Sequence, residues 1–195
     1  MGLHSVRTHS GLFFDFVEPD PETVIVEDIA RALSRKPRFN GHMNCFYSVA
    51  QHACLVSALA AHYAVSQRVP DVGDYMWAGL HHDDSEYVMA DVPTPLKRLL
   101  PEYKVIEERV QGVINVKWGL PADADHWAIV KLADTAALFM ERDHMIDSSV
   151  RWSIEDQHPG VTMLEFWPEF EAWDSEKAME NYLLIHNKLK GNYYA

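Results

Sequence analysis

Cysteine is nearly absent: Cys45 and Cys54 are the only two in 195 residues, and no paired spacing surrounds them. That excludes a disulfide scaffold and makes a reducing cytoplasm the expected compartment. Each thiol is expected as a small core residue. Long apolar runs are missing too. No stretch approaches the roughly 20 residues that cross a bilayer, and no basic-then-apolar signal peptide is evident. Gly2 invites N-myristoylation, but Val6 stands where that motif needs Ser or Thr. Positive charge is scarce, with 17 Lys and Arg against 29 Asp and Glu for a net charge of −12. A surface of that sign repels phosphate backbones and argues against a long nucleic-acid partner. A small anion stays compatible, because a metal ion with a few cations reverses the field locally. Repeats, low-complexity tracts and linkers are not found, and the length suits one domain over residues 1–195.

What is there is mostly helical periodicity. Arg7 to Phe16, with Gly11 and three phenylalanines, reads as a short extended stretch or hairpin. Asp20-Pro21-Glu22 has the cap, first-turn proline and acid of a helix start, and predicts a helix from Glu22 to Leu33. Lys36 to Gly41 breaks the pattern with Pro37 and Gly41. The next helix, Ser48 to Ser66, is apolar on most sides and is expected in the middle of a bundle. Further helices are predicted over Asp74–Met89, Pro101–Lys117 (ending near Gly119), Asp125–Met145 and Asp174–Lys190, the last stopped by Gly191. Asp91-Val92-Pro93-Thr94-Pro95 is expected as a loop. The segment Glu165 to Trp173 is ambiguous, and its stripe of Trp167, Phe170 and Trp173 suits core or an oligomer contact. The expected fold is all-α, one helical bundle.

Four residues stand in apolar or small-residue helices without an obvious reason: His52, His82, Asp83 and Asp134. A buried carboxylate without a partner costs several kcal/mol, and a shared divalent cation would relieve all four together. Imidazole with carboxylate suits zinc, iron, cobalt or manganese. A lone His or Asp on a helix is ordinarily just a hydrogen-bonded residue, and the His82-Asp83 dipeptide alone carries little. Its neighbours strengthen it. Glu86 lies four residues after His82, on the expected helix face, and Asp91 follows in a stiff loop. His81 is turned about 100° from His82 along a helix, so both do not readily face one metal. His42, His62, His126 and His144 have no comparable setting and read as ordinary surface or core histidines.

The order His52, His82-Asp83-Asp84-Ser85-Glu86, Asp91-Val92-Pro93-Thr94-Pro95-Leu96-Lys97, Lys131-Leu132-Ala133-Asp134 resembles the HD-domain nucleotide phosphohydrolases. The likeness is greatest to bacterial 5′-deoxynucleotidases and small viral-type dATP triphosphohydrolases, and runs over about residues 31–140. It implies an HD-type bundle with a metal site at its centre. His52, His82, Asp83 and Asp134 would hold a divalent transition metal, Co2+, Zn2+ or Mn2+. Glu86 and Asp91 would divide the acid, base and sugar-binding work. Arg38 would meet the phosphate, with Arg35 as a rival because this chain has Arg38-Phe39 where the family often has Arg-Trp. Phe39 would stack on a base or sugar, and Thr94, Lys97 and Lys131 are further substrate contacts. The implied reaction cleaves the α-phosphate ester of a deoxynucleotide, with dATP to deoxynucleoside and triphosphate ahead of deoxynucleoside monophosphates. A homo-oligomer is expected, in a cytoplasm that would be the host's if the chain is viral. Two other classes compete: a non-catalytic nucleotide sensor, and a di-iron oxygenase that would draw on His81 and His62. A cyclic- or signalling-nucleotide phosphodiesterase remains within the hydrolase class.

Overall fold

The computed structural model describes residues 2–147, 149, 152, 154, 156, 161 and 171–191. The chain opens with an antiparallel hairpin, β1 (Ser5–Arg7) and β2 (Phe13–Asp15), in which Val6 pairs with Phe14. The aromatic stretch thus forms the expected hairpin. Phe14 is fully buried and meets the Tyr87 ring edge-on at 5.7 Å.

The helix expected from Glu22 arrives in two pieces. Asp20 accepts from the Glu22 N–H at 2.9 Å, but the turn it caps is a 3-10 turn, Pro21–Thr23. Val24 and Ile25 are extended, and only then does α1 (Val26–Leu33) begin. Adjacent β-branched residues favour extended backbone, and the break puts Val24 in the core at 1% exposure. Asp28 in α1 is buried and accepts from the Ser10 N–H and hydroxyl at 2.8 and 2.6 Å, which ties the hairpin loop to the helix.

α2 (Val49–Ser66) starts at Ser48, whose hydroxyl accepts from the Gln51 N–H. Thirteen of its eighteen residues are buried, so it is the central helix the composition predicts. α3 (Val72–His81), α6 (Ala124–Arg142) and α7 (Ser175–Lys190) pack around it, and α1 joins α7. Gly79 in α3 allows the closest approach. A Cβ there would stand 3.0 Å from Ser57 Cα and 3.1 Å from the Val56 carbonyl oxygen. α4 (Thr94–Lys97) is one short helix that takes Pro95 into its first turn, so the expected loop covers only Asp91 to Pro93. α5 (Pro101–Trp118) closes on Gly119 at φ 58°, a left-handed cap that suits glycine. Gly191 after α7 is right-handed and does no such work. α6 ends at Arg142 and is followed by a π turn, Asp143–Asp147.

Two further expectations change. Cys54 is buried, but Cys45 is exposed, because the loop before α2 carries it outward. The expected helix Asp74–Met89 ends at His81. His82 and Asp83 form a turn, and Asp84–Tyr87 is a separate 3-10 turn. Trp167 and Phe170 lie outside the described residues, whereas Trp173 is half-buried and packs on the core. No helix of the described residues is long and apolar enough to cross a membrane.

Candidate metal centre

His52 comes from the middle of α2, His82 and Asp83 from the turn after α3, and Asp134 from α6. Their side chains meet. One ligand atom each from His52, His82 and Asp134 lie within 4.8 Å of one another. His52 Nε2 stands 3.3 Å from Asp134 Oδ1, and His82 Nε2 stands 4.0 Å from the same oxygen. Asp83 Oδ2 is 3.0 Å from His82 Nε2 and 3.8 Å from His52 Nε2. Ligand bonds of about 2.0–2.2 Å put neighbouring ligand atoms about 3–4 Å apart, so these separations fit a common cation.

The hydrogen bonds on the far side of each ring decide which nitrogen is available. His82 Nδ1 lies 2.8 Å from the Gly79 carbonyl oxygen, so it carries the proton and donates. His52 Nδ1 lies 2.6 Å from Glu141 Oε1 and donates likewise. Both Nε2 atoms then point lone pairs at carboxylate oxygens. They are buried and lack a hydrogen-bond partner in favourable geometry among the described residues. Lone pair facing lone pair is repulsive unless a cation lies between. Burial and Arg38 oppose charge on His52, but Glu141 and Asp134 outweigh them and raise its pKa to about 9. In the metal-free protein a proton therefore supplies the missing positive charge. A divalent ion would supply it better, and the cluster can hold one.

The surrounding charges are arranged to the same end. Burial disfavours the charged forms of Asp83 and Asp134, yet both pKa values are held below the ordinary range. His82 does this for Asp83, and His52 and Lys131 for Asp134. Lys131 Nζ binds Asp134 Oδ2 at 2.6 Å, leaving Oδ1 to the cluster. Glu86 is different. Burial and the carboxylates of Asp83 and Asp91 push its pKa well above the usual range. Its Oε2 is buried and has no partner among the described residues. Asp91 is raised as well, first by burial.

Glu86 is near the cluster, but it reaches it from the 3-10 turn rather than from a shared helix face. Asp91 sits half-buried beside it. Arg38 is buried, with Nε and Nη2 at 3.2 and 3.1 Å from Glu141 Oε2. Phe39 is half-buried against Trp152, with ring centroids 5.9 Å apart. Lys97 binds Glu107 at 2.6 Å, and Thr94 is exposed. Arg35 is turned away to Glu176 at 3.1 Å.

Two residues at the site, and one behind it, are given no role by sequence reasoning. Glu141 follows Asp134 by seven residues, two turns along α6, and in the sequence it only opens the charged stretch Glu141-Arg142-Asp143 after an apolar run. Lys36 donates to the Glu86 and Met89 carbonyls from the broken segment before α2. Asp84 faces away from the cluster and is bound by His81 Nδ1 at 2.7 Å, Tyr182 at 2.5 Å and Trp118 Nε1 at 3.1 Å.

Fold and site together define a mostly helical protein with a His52–His82–Asp134 cluster, buried at His52 and half-buried at the other two, that could hold a metal ion. The chain belongs to the same family as Uncharacterized protein YfdR of Escherichia coli (strain K12), with 38% identity over 164 residues, 84% of this chain and 85% of that one. It is also similar to Uncharacterized protein RCAP_rcc00048 of Rhodobacter capsulatus, 33% identical over 145 residues and 71% of each chain. No protein-family model matches the chain.

Proposed function

We propose that this protein is an HD-type, metal-dependent phosphohydrolase that cleaves the α-phosphate ester of deoxynucleotides, with dATP the first substrate to test. The observation that carries this reading is the convergence of two imidazole Nε2 lone pairs on Asp134, near the buried Glu86 carboxyl, whose Oε2 has no partner among the described residues. His52, His82, Asp134 and Asp83 would hold a divalent cation of the Co2+, Zn2+ or Mn2+ kind, which would supply Lewis acidity toward water and phosphate.

The protein's own groups complete the reaction. Water adds to the α-phosphorus, the bond from phosphorus to O5′ breaks, and the leaving oxygen takes a proton. Glu86, whose pKa is pushed up by burial and two neighbouring carboxylates, is suited to give that proton. Asp91 orients the water or the sugar. Thr94, Phe39, Arg38, Lys97 and Lys131 line the approach for phosphate, sugar and base. The products from dATP are deoxyadenosine and triphosphate.

One observation favours a second reading, a 5′-nucleotidase acting on deoxynucleoside monophosphates. Arg38, Lys97 and Lys131 are each held by a carboxylate, of Glu141, Glu107 and Asp134, which leaves little charge for a long phosphate chain. Incubating purified protein with dATP and dAMP under Co2+, Mn2+ or Zn2+, and separating the products, distinguishes the two. Failure to cleave either nucleotide with any of the three metals sinks the nucleotidase reading, and tight binding without turnover points to a sensor. The di-iron alternative loses its ligands: His81 is bound to Asp84 and His186, and His62 is exposed. Self-association is part of the proposal, through Leu96, Leu99, Leu100 and Val105, which are exposed on and next to α4. A monomer mass by light scattering would refute it.

A further inference from the structure

Consecutive residues on an α-helix point about 100° apart. Even so, His82 Nε2 and Asp83 Oδ2 are 3.0 Å apart and face the same cluster. The backbone explains this. His82 is still helical at φ −65°, ψ −30°, but Asp83 departs to φ −115°, ψ 20°, and the chain restarts as a 3-10 turn. No Gly or Pro lies between Gly79 and Pro93 to end the helix, and Asp83-Asp84-Ser85 only weaken its propensity there.

The cause is a side chain from another helix. An uninterrupted helix would bond the Ser85 N–H to the His81 carbonyl, four residues back. Here the Gln111 amide from α5 stands between them. Ser85 N–H donates to Gln111 Oε1 at 2.9 Å, and Gln111 Nε2 donates to the His81 carbonyl at 2.9 Å. The second Nε2 hydrogen goes to Asn115 Oδ1 at 2.9 Å, which fixes the amide's orientation. One amide thus replaces the missing rung at both ends, so neither the Ser85 N–H nor the His81 carbonyl is stranded. An inserted side chain is a recognised cause of helix interruption. Asp84, bound by His81, Tyr182 and Trp118, holds the far side of the same turn.

We infer that Gln111 is a positioning residue: its amide, wedged into the α3 ladder between His81 and Ser85, turns Asp83 onto the metal cluster beside His82. This rests on the metal-site reading, and not on any particular substrate. Without the wedge, the helix extends by its own bond and Asp83 rotates away from His82.

The test is Co2+ binding to the full-length protein by calorimetry, with the visible absorption of the bound ion as a readout of its ligands. Gln111→Met keeps the length of the side chain but neither hydrogen bond. It is expected to weaken Co2+ at least tenfold and to shift the spectrum toward that of Asp83→Ala. The double variant should bind no more weakly than Asp83→Ala alone, because the two act on one ligand. Should Gln111→Met fold poorly by circular dichroism, Gln111→Glu keeps the acceptor for Ser85 and loses both donations, and the same loss and non-additivity are expected. Wild-type affinity and spectrum in the variant overturn the inference. So do additive losses, which would mean a general structural role. If the wild-type protein takes up no Co2+, the metal reading itself fails, an outcome distinct from both.

Discussion

Glu141 is the residue on which the rest of the cluster leans. It is fully buried, takes the His52 Nδ1 proton on one oxygen and the Arg38 guanidinium on the other, and so selects the tautomer that frees Nε2. Glu141→Gln keeps the shape but removes the charge that Arg38 needs. Partners of metal-bound histidine typically change affinity 10–100-fold, and a loss of about that size is expected by calorimetry. His52 also makes a pH prediction. Its folded pKa of about 9 lies above the unbound value of 6.5, so the metal-free protein gains stability below 6.5 that is lost as pH rises through 9. Urea unfolding after chelation should show that decline between pH 6.5 and 9, and saturating metal, which needs the unprotonated ring, should abolish it. Within the cluster, His52 and Asp134 were readable from sequence because each is out of place in its own helix, and His82 and Asp83 because Glu86 and Asp91 follow them closely. Glu141 was not, because an acid that begins a charged helix end, next to Arg142 and Asp143, has an ordinary explanation.

At the scale of elements, α3 is held against α2 by the absence of a side chain at Gly79. Gly79→Ala would press a methyl group on Ser57 Cα and the Val56 carbonyl oxygen, which are backbone atoms and yield poorly. Overpacking of this kind costs about 1–3 kcal/mol, measurable as a lower urea midpoint. His82, one turn on and bonded to the Gly79 carbonyl, should shift with it and weaken metal binding. Helix periodicity located α2, α5 and α7 to within a residue or two, because capping groups at Ser48, Gly119 and Asp174 act locally. It overran α3 by joining it to the next turn, because the stop comes from Gln111, 26 residues after Ser85.

At the scale of the whole molecule, α2, α6 and the turn after α3 each bring part of one charged cluster against the hydrophobic core. Desolvated carboxylates and imidazoles that do not balance destabilise a fold by several kcal/mol. A bound cation should therefore stabilise the entire bundle. At a hundredfold excess over its Kd a ligand adds about 2.7 kcal/mol, which is about 5–10 °C in Tm for a chain of this size. Scanning calorimetry of chelated protein titrated with Co2+, Zn2+ or Mn2+ should show a rise that depends on metal concentration. An unchanged Tm with all three would mean the cluster holds none of them.

The sequence by itself determined the helical class and the central position of α2, and it singled out His52, His82, Asp83 and Asp134, whose side chains converge in the fold. These follow from periodicity and from polar residues placed where apolar ones belong, both of which are local properties of the chain. Only the tertiary structure decided how the set works. Glu141 and Arg38 choose the ring nitrogen that faces inward, and Gln111 breaks α3 so that adjacent residues face one point. Those partners come from elements far apart along the chain, and no spacing within one helix encodes which of them will meet.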